Sequence, residues 1–146
     1  MRLSTRGQYG VKAMFDFALR YGDGPITIKT VAESQDISEH YLEQLMSALK
    51  KAGLVESVRG AQGGYMLART PDEISIGDII RVLEGPITLV DCAPEHGIPE
   101  CVKADRCVTR GIWQKMGESI ANVVDSITLG DLVEDAKKNN SYMFYI

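Results

Sequence analysis

Residues 38–69, SEHYLEQLMSALKKAGLVESVRGAQGGYMLAR, constrain the fold more than any other stretch. Ser38 can cap a helix by accepting from a free backbone N–H of the first turn. Leu42, Leu45 and Leu49 then form one apolar stripe, and Gly53 stands where a C-terminal cap belongs. Two strand-like runs follow, 54–58 and 65–69, around the glycine-rich tip 59–64, which reads as a β-hairpin. Upstream, Thr27 can cap a short helix running through Ser34 with Ile28, Val31 and Ala32 apolar. The turn Gln35-Asp36-Ile37 has the length a helix-turn-helix needs. Before it, Tyr9, Val11, Met14, Phe15, Ala18 and Leu19 recur at helical spacing from Gly7 to about Tyr21, and Gly22-Asp23-Gly24-Pro25 ends that helix. Helix, helix-turn-helix and hairpin in this order make a winged helix.

The second half reads differently. Ser75 can cap a helix over 76–83, stopped by Gly85-Pro86. A loop holding all three cysteines follows. Val108, Ile112, Met116, Ile120, Val123 and Ile127 then step along one face of a long helix, widened by Trp113 and Val124. A last helix over 129–138 can be capped by Thr128 with Asp131 three residues on. The final NNSYMFYI is apolar at its end and is expected to pack or associate. Nothing obvious in the chain is large enough to cover the long helix. The alternatives are a helix folded back onto the first domain and a dimer helix, and the second is preferred because helix-turn-helix proteins usually read two half-sites about a two-fold axis. The expected fold is mainly α with a small β-hairpin wing: a winged helix-turn-helix DNA-binding domain (1–84), a cysteine-bearing sensor loop (85–107), and a dimerisation helix with C-terminal helix and tail (108–146).

Charge supports that division. The net charge of −4 looks wrong for a nucleic-acid partner, but residues 1–70 carry nine Lys and Arg against seven Asp and Glu, whereas 71–146 carry seven against thirteen. A DNA-binding protein needs a basic face, not a basic total. No apolar run approaches the roughly 20 residues that span a bilayer, and the N-terminus has no apolar signal core; the expectation is a cytoplasmic protein without membrane contact. In that reducing compartment, clustered thiols point to metal or redox chemistry rather than structural disulfides. With only His40 and His96, hydrolytic triads are poorly supplied and no cofactor fingerprint is present, which argues against an enzyme. The RGAQGGY tip lacks the Lys-Ser/Thr of a P-loop and is followed by a strand, so it is not a phosphate cradle.

On the third helix the polar face presents Glu39, His40, Glu43, Gln44, Ser47 and Lys50. Gln can pair bidentately with adenine, Glu can accept from the cytosine amino group, and Lys or Ser can hold phosphates. Arg59 at the wing tip suits a minor groove or a phosphate. Taken alone, a polar helix face is most often merely solvated, and His40 an ordinary surface histidine.

MRLSTRGQYGVKAM, ISEHYLEQLMSALKKAGLVESVRGAQGGYMLA and, further on, CVTRGIWQKM with SITLGDL closely resemble the Rrf-two (Rrf2) family of winged-helix transcription regulators. Its members include the iron–sulfur regulator IscR, the nitric-oxide sensor NsrR, the iron regulator RirA and the cysteine-metabolism repressor CymR. The resemblance covers about residues 1–138. It implies a homodimer crossed by the long helix, binding double-stranded DNA at a palindromic operator. Tyr41, Glu43, Gln44 and Arg59 match family positions near DNA, with Ser38 and His40 behind them; Tyr41 is also a candidate for the core.

Cys92, Cys101 and Cys107 fall where cluster-binding members keep three thiolate ligands, which implies an iron–sulfur cluster, 2Fe-2S or 4Fe-4S. Two departures stand out. The gap between the first two cysteines is longer than usual in IscR-like members. The histidine that follows the last cysteine in IscR is replaced here by Arg110, which has no free lone pair to offer a metal. Members that borrow a ligand from the partner's first helix have a carboxylate or histidine where this chain has Gln8 and Lys12. Asp91, Glu95, His96, Glu100 and Asp105, or an exogenous small molecule on an open iron, remain as candidates for the fourth ligand. The alternatives are a thiol redox switch, a Cys₃His zinc site using His96, a CymR-like repressor acting through a protein partner, and inert thiols.

Overall fold

A computed structural model describes residues 2–139. Six helices and one hairpin follow in the order α1 Thr5–Leu19, α2 Ile28–Gln35, α3 Glu39–Lys51, β1 Val55–Val58, β2 Gly64–Leu67, α4 Ile76–Glu84, α5 Arg110–Ser126 and α6 Leu129–Asn139. The winged helix expected from the sequence is present. Helix starts follow local cap chemistry. The side chains of Ser4, Thr27 and Ser38 accept from the backbone N–H three residues on, and Ser75 with Asp78 forms a reciprocal capping box. Thr128 and Asp131 make the same exchange before α6, at 2.9 and 3.1 Å. Because Ser4 is a cap, α1 begins two residues before Gly7.

Asp36, the left-handed residue between α2 and α3, has φ 54° and sets the turn of the helix-turn-helix. α3 then drives Leu42, Leu45, Met46 and Leu49 to zero exposure against Met14, Phe17 and Val31. Each such side chain contributes roughly 1.5–3 kcal/mol by leaving water. β1 and β2 pair antiparallel in the register Val55↔Leu67 to Val58↔Gly64. A third edge escapes the sequence pattern: Ile26 bridges Tyr65 through two backbone hydrogen bonds of 2.8 and 2.9 Å, tying the wing to the segment before α2.

α6 returns to the same core. Ile76 N donates to the Ile127 carbonyl at 2.8 Å and Leu129 N to that of Ile74 at 2.9 Å, and Leu129 is fully buried. α5 is the exception, having no buried residue. Ile120 and Val124 are half-covered, while Ile112, Trp113, Met116 and Val123 stand exposed, Val123 at 56%. The helix starts at Arg110 rather than at Val108, which lies outside it at 89% exposure, and Ile127 is its C-cap. Thr109 makes no side-chain cap, so no local signal marks that start. Among the described residues no helix is long and apolar enough to cross a membrane. The expectation that the tail packs or associates falls, from residue 140 on, outside the described residues.

Candidate DNA-reading surface and cysteine loop

The polar face of α3 is built by the same periodicity that buries its leucines. Ser38, His40, Glu43, Gln44, Ser47 and Lys50 are exposed, and so is Arg59 between the two strands. His40 and Gln44, one turn apart, approach to 3.3 Å between Nε2 atoms, so each restricts the other's rotamers. Ser38 spends its hydroxyl on the Tyr41 N–H at 3.1 Å. Tyr41 is half-buried and meets Tyr9 edge-on, ring centroids 6.0 Å apart, which makes it a packing residue as much as a surface one. The arrangement offers a helix with donors and acceptors for base edges beside a wing carrying one guanidinium.

Residues 85–107 form an irregular loop with one short 3-10 turn, Ala104–Arg106. Its three cysteines are free thiols; Cys92 is partly covered, and Cys101 and Cys107 are exposed. Among the described residues no three Cys, His, Asp or Glu side chains converge closely enough to hold a metal ion. The donors therefore suit a cluster in kind, but this loop conformation does not gather them. Cys107 stands just before α5. Its thiol is pulled below the usual range by the Thr109 hydroxyl 3.2 Å away and then by the Arg110 backbone N–H, so the nucleophilic thiolate is favoured.

The candidates for a fourth ligand divide. Asp91, His96, Glu100 and Asp105 point to solvent, with the His96 side chain 79% exposed. Glu95 is engaged elsewhere. Its side chain is only 10% exposed; it accepts from Arg81 Nε at 2.8 Å and from the Ile87 backbone N–H at 2.5 Å, and Arg81 Nη2 also reaches it. The same guanidinium donates to Asp125 on α5, Nη2 to Oδ2 at 2.9 Å. Both carboxylates are held below their ordinary range, each chiefly by the Arg81 hydrogen bonds. Arg110, unable to ligate, instead donates through Nε to the Cys92 carbonyl at 2.8 Å. Sequence reasoning missed Arg81, because its partners lie 14 and 44 residues away and leave no periodic trace.

Comparison with known proteins places these features in context. The family model Rrf2, described as an iron-dependent transcriptional regulator, matches residues 3–135. The HTH-type transcriptional regulator CymR of Bacillus subtilis is 44% identical over 147 residues, covering 100% of both chains. The HTH-type transcriptional regulator IscR of Aliivibrio salmonicida is 42% identical over 135 residues, 92% of this chain and 79% of that one. The solved structure of T. potens IscR superposes with a TM-score of 0.79 at 49% identity, covering 99% of this chain and 97% of the other.

Proposed function

The chain belongs to the Rrf2 family of helix-turn-helix transcriptional regulators, DNA-binding proteins rather than enzymes, and from that premise we propose that it is a homodimeric, cytoplasmic repressor whose hold on a palindromic operator is set by an iron–sulfur cluster on Cys92, Cys101 and Cys107. The observation that carries this reading is that the three free thiols sit on one loop lying against α5, a helix with no buried residue among the described residues. A two-fold partner would cover that face and set the spacing of the two recognition helices. Glu43 and Gln44 would read base edges, with Ser47, Lys50 and Arg59 on phosphates.

An iron–sulfur cluster, when bound, supplies a centre that responds to iron, oxygen, nitric oxide or redox state. The protein's part is to offer three thiolates by drawing Cys101 and Cys107 toward Cys92. Asp91, His96, Glu100 or Asp105 would be available as a fourth ligand, while Glu95 is held by Arg81. Regulation follows if the ordered and disordered loops make different contacts with α5.

Anaerobic purification with absorption and Mössbauer spectra tests the cofactor. Wild type should be coloured, and the triple cysteine-to-alanine variant colourless with altered DNA affinity. A triple variant that still holds a cluster refutes the assignment. Arg59→Ala should lower affinity and flatten the salt dependence by about one phosphate contact.

A second reading is favoured by the exposed Cys107 and its lowered thiol pKa. A colourless wild type whose DNA binding responds to thiol oxidation would make this a thiol-based regulator, as the likeness to CymR allows.

A further inference from the structure

Arg81 projects from α4 between the cysteine loop and α5. One guanidinium meets Glu95 of the cysteine loop and Asp125 of the last turns of α5. Space for this meeting is made one turn earlier on α4. A Cβ on Gly77 would collide with the Asp125 carboxylate and lie 2.8 Å from Arg81 Nη1. At the other end of α5, Arg110 grips the Cys92 carbonyl. Between them, Ala93, Pro94 and Glu95 line a narrow cleft with Gln114, Gly117 and Ala121 of α5. The loop is thus fastened at two points on α5, which lie about 22 Å apart along the helix at roughly 1.5 Å per residue.

We propose that Arg81 is a positioning residue that latches the cysteine loop to α5, its guanidinium holding Glu95 and Asp125 at once so that loop and helix move as one body. A residue on the DNA-binding unit then carries a change in the loop to the helix that faces the partner subunit. What the latch transmits rests on the reading of residues 85–107 as a sensing loop; the link itself does not.

The two carboxylates share one cation, so cutting either arm frees the guanidinium to rearrange and weakens the other. This coupling distinguishes a latch from two independent surface ion pairs, whose effects would add.

The test uses the full chain, purified anaerobically, with hydrogen exchange and alkylation of each cysteine followed by mass spectrometry. Asp125→Asn removes the α5 arm and touches nothing in the loop. It should nevertheless speed amide exchange over residues 86–97 and alkylation of Cys92 about fivefold. Glu95→Gln should loosen residues 121–126 in return. The double variant should exceed the larger single change by little. Arg81→Lys, a single point of charge, should rescue one arm at most. Gly77→Ala should reproduce the Asp125→Asn result without altering charge. An unchanged loop in Asp125→Asn, or additive effects in the double variant, overturns the latch. A loosened loop in a chain that takes up no cluster upholds the latch while removing the cluster reading; a cluster-bearing chain with an unresponsive loop does the reverse.

Discussion

The paired glycines of the wing allow a quantitative test of why RGAQGGY takes this form. Gly64 has φ 153° and lies under the backbone bridge between Ile26 and Tyr65. A Cβ there would strike the Ile26 carbonyl oxygen, with the Ile26 carbonyl carbon at 2.5 Å and Thr27 N at 2.9 Å. These are backbone atoms, which cannot swing aside as a side-chain tip can. Gly64→Ala must therefore break the two hydrogen bonds of the bridge, about 1 kcal/mol each, and bear backbone strain of about 1 kcal/mol. The expected loss is about 3 kcal/mol, a large share of a typical domain's stability. Gly60 provides the control: it has φ 110°, but nothing lies within 4 Å of its Cβ position. Gly60→Ala should cost only the strain, about 1 kcal/mol.

Urea denaturation measures the difference. At an m value of about 2 kcal/mol/M, the midpoint should fall by about 1.5 M for Gly64→Ala and about 0.5 M for Gly60→Ala. Hydrogen exchange locates it: the Ile26 and Tyr65 amides should lose protection in the first variant and keep it in the second. Equal midpoints, or a Gly64→Ala protein whose Ile26 and Tyr65 amides stay protected, would refute the reasoning. The glycine would then serve the hairpin's own turn rather than the approach of a third edge.

Two further outcomes follow from the loop. Glu95 and Asp125 both titrate below their ordinary range in the folded chain, so their contribution is present above the unfolded carboxylate pKa of about 4 and is lost as pH falls through the lower folded values. Acidification should release the 86–97 segment in wild type, measured by exchange between pH 7 and pH 3, and Arg81→Met should flatten that dependence. In cluster-free protein Cys107 should alkylate faster at neutral pH than Cys101, and Thr109→Val should narrow the gap; equal rates for the two thiols would remove the Thr109 hydroxyl as the cause.

The parts of this fold legible in the sequence are those governed by local chemistry. Ser38, Ser75 and Thr128 cap helices because a short hydroxyl three residues from an unpaired N–H has few better partners. The leucines of α3 follow because a 3.6-residue period has one buried side. The start of α5 was not legible, since Thr109 makes no cap and the apolar pattern runs straight through Val108. The Ile26 edge was lost for a similar reason: a one-residue bridge has no period. At the site, the exposed polar face of α3 followed from the sequence. The double engagement of Glu95 did not, because a carboxylate in a loop reads alike whether it faces water, iron or an arginine.

That distinction bears on how the chain can work. A sensing loop that merely hung from the domain could change state without consequence, because irregular segments absorb displacement through their own dihedrals. Here the dihedral freedom is bounded on both sides of Cys92 and Glu95, by Arg110 at the head of α5 and Arg81 beside its last turns. Cys101 and Cys107, by contrast, are exposed and held by local turn hydrogen bonds, Ala104 N to the Cys101 carbonyl and Cys107 N to the Ala104 carbonyl. On the proposed cluster reading, three thiolates would be gathered by moving Cys101 and Cys107 toward Cys92, or by breaking one of the two grips. The first route would reach α5 through Cys107, three residues before its start, and the second through Arg81 or Arg110. Alkylation and exchange compared with and without the Arg81 latch decide between them, since only the second route slows thiol capture when the latch is intact.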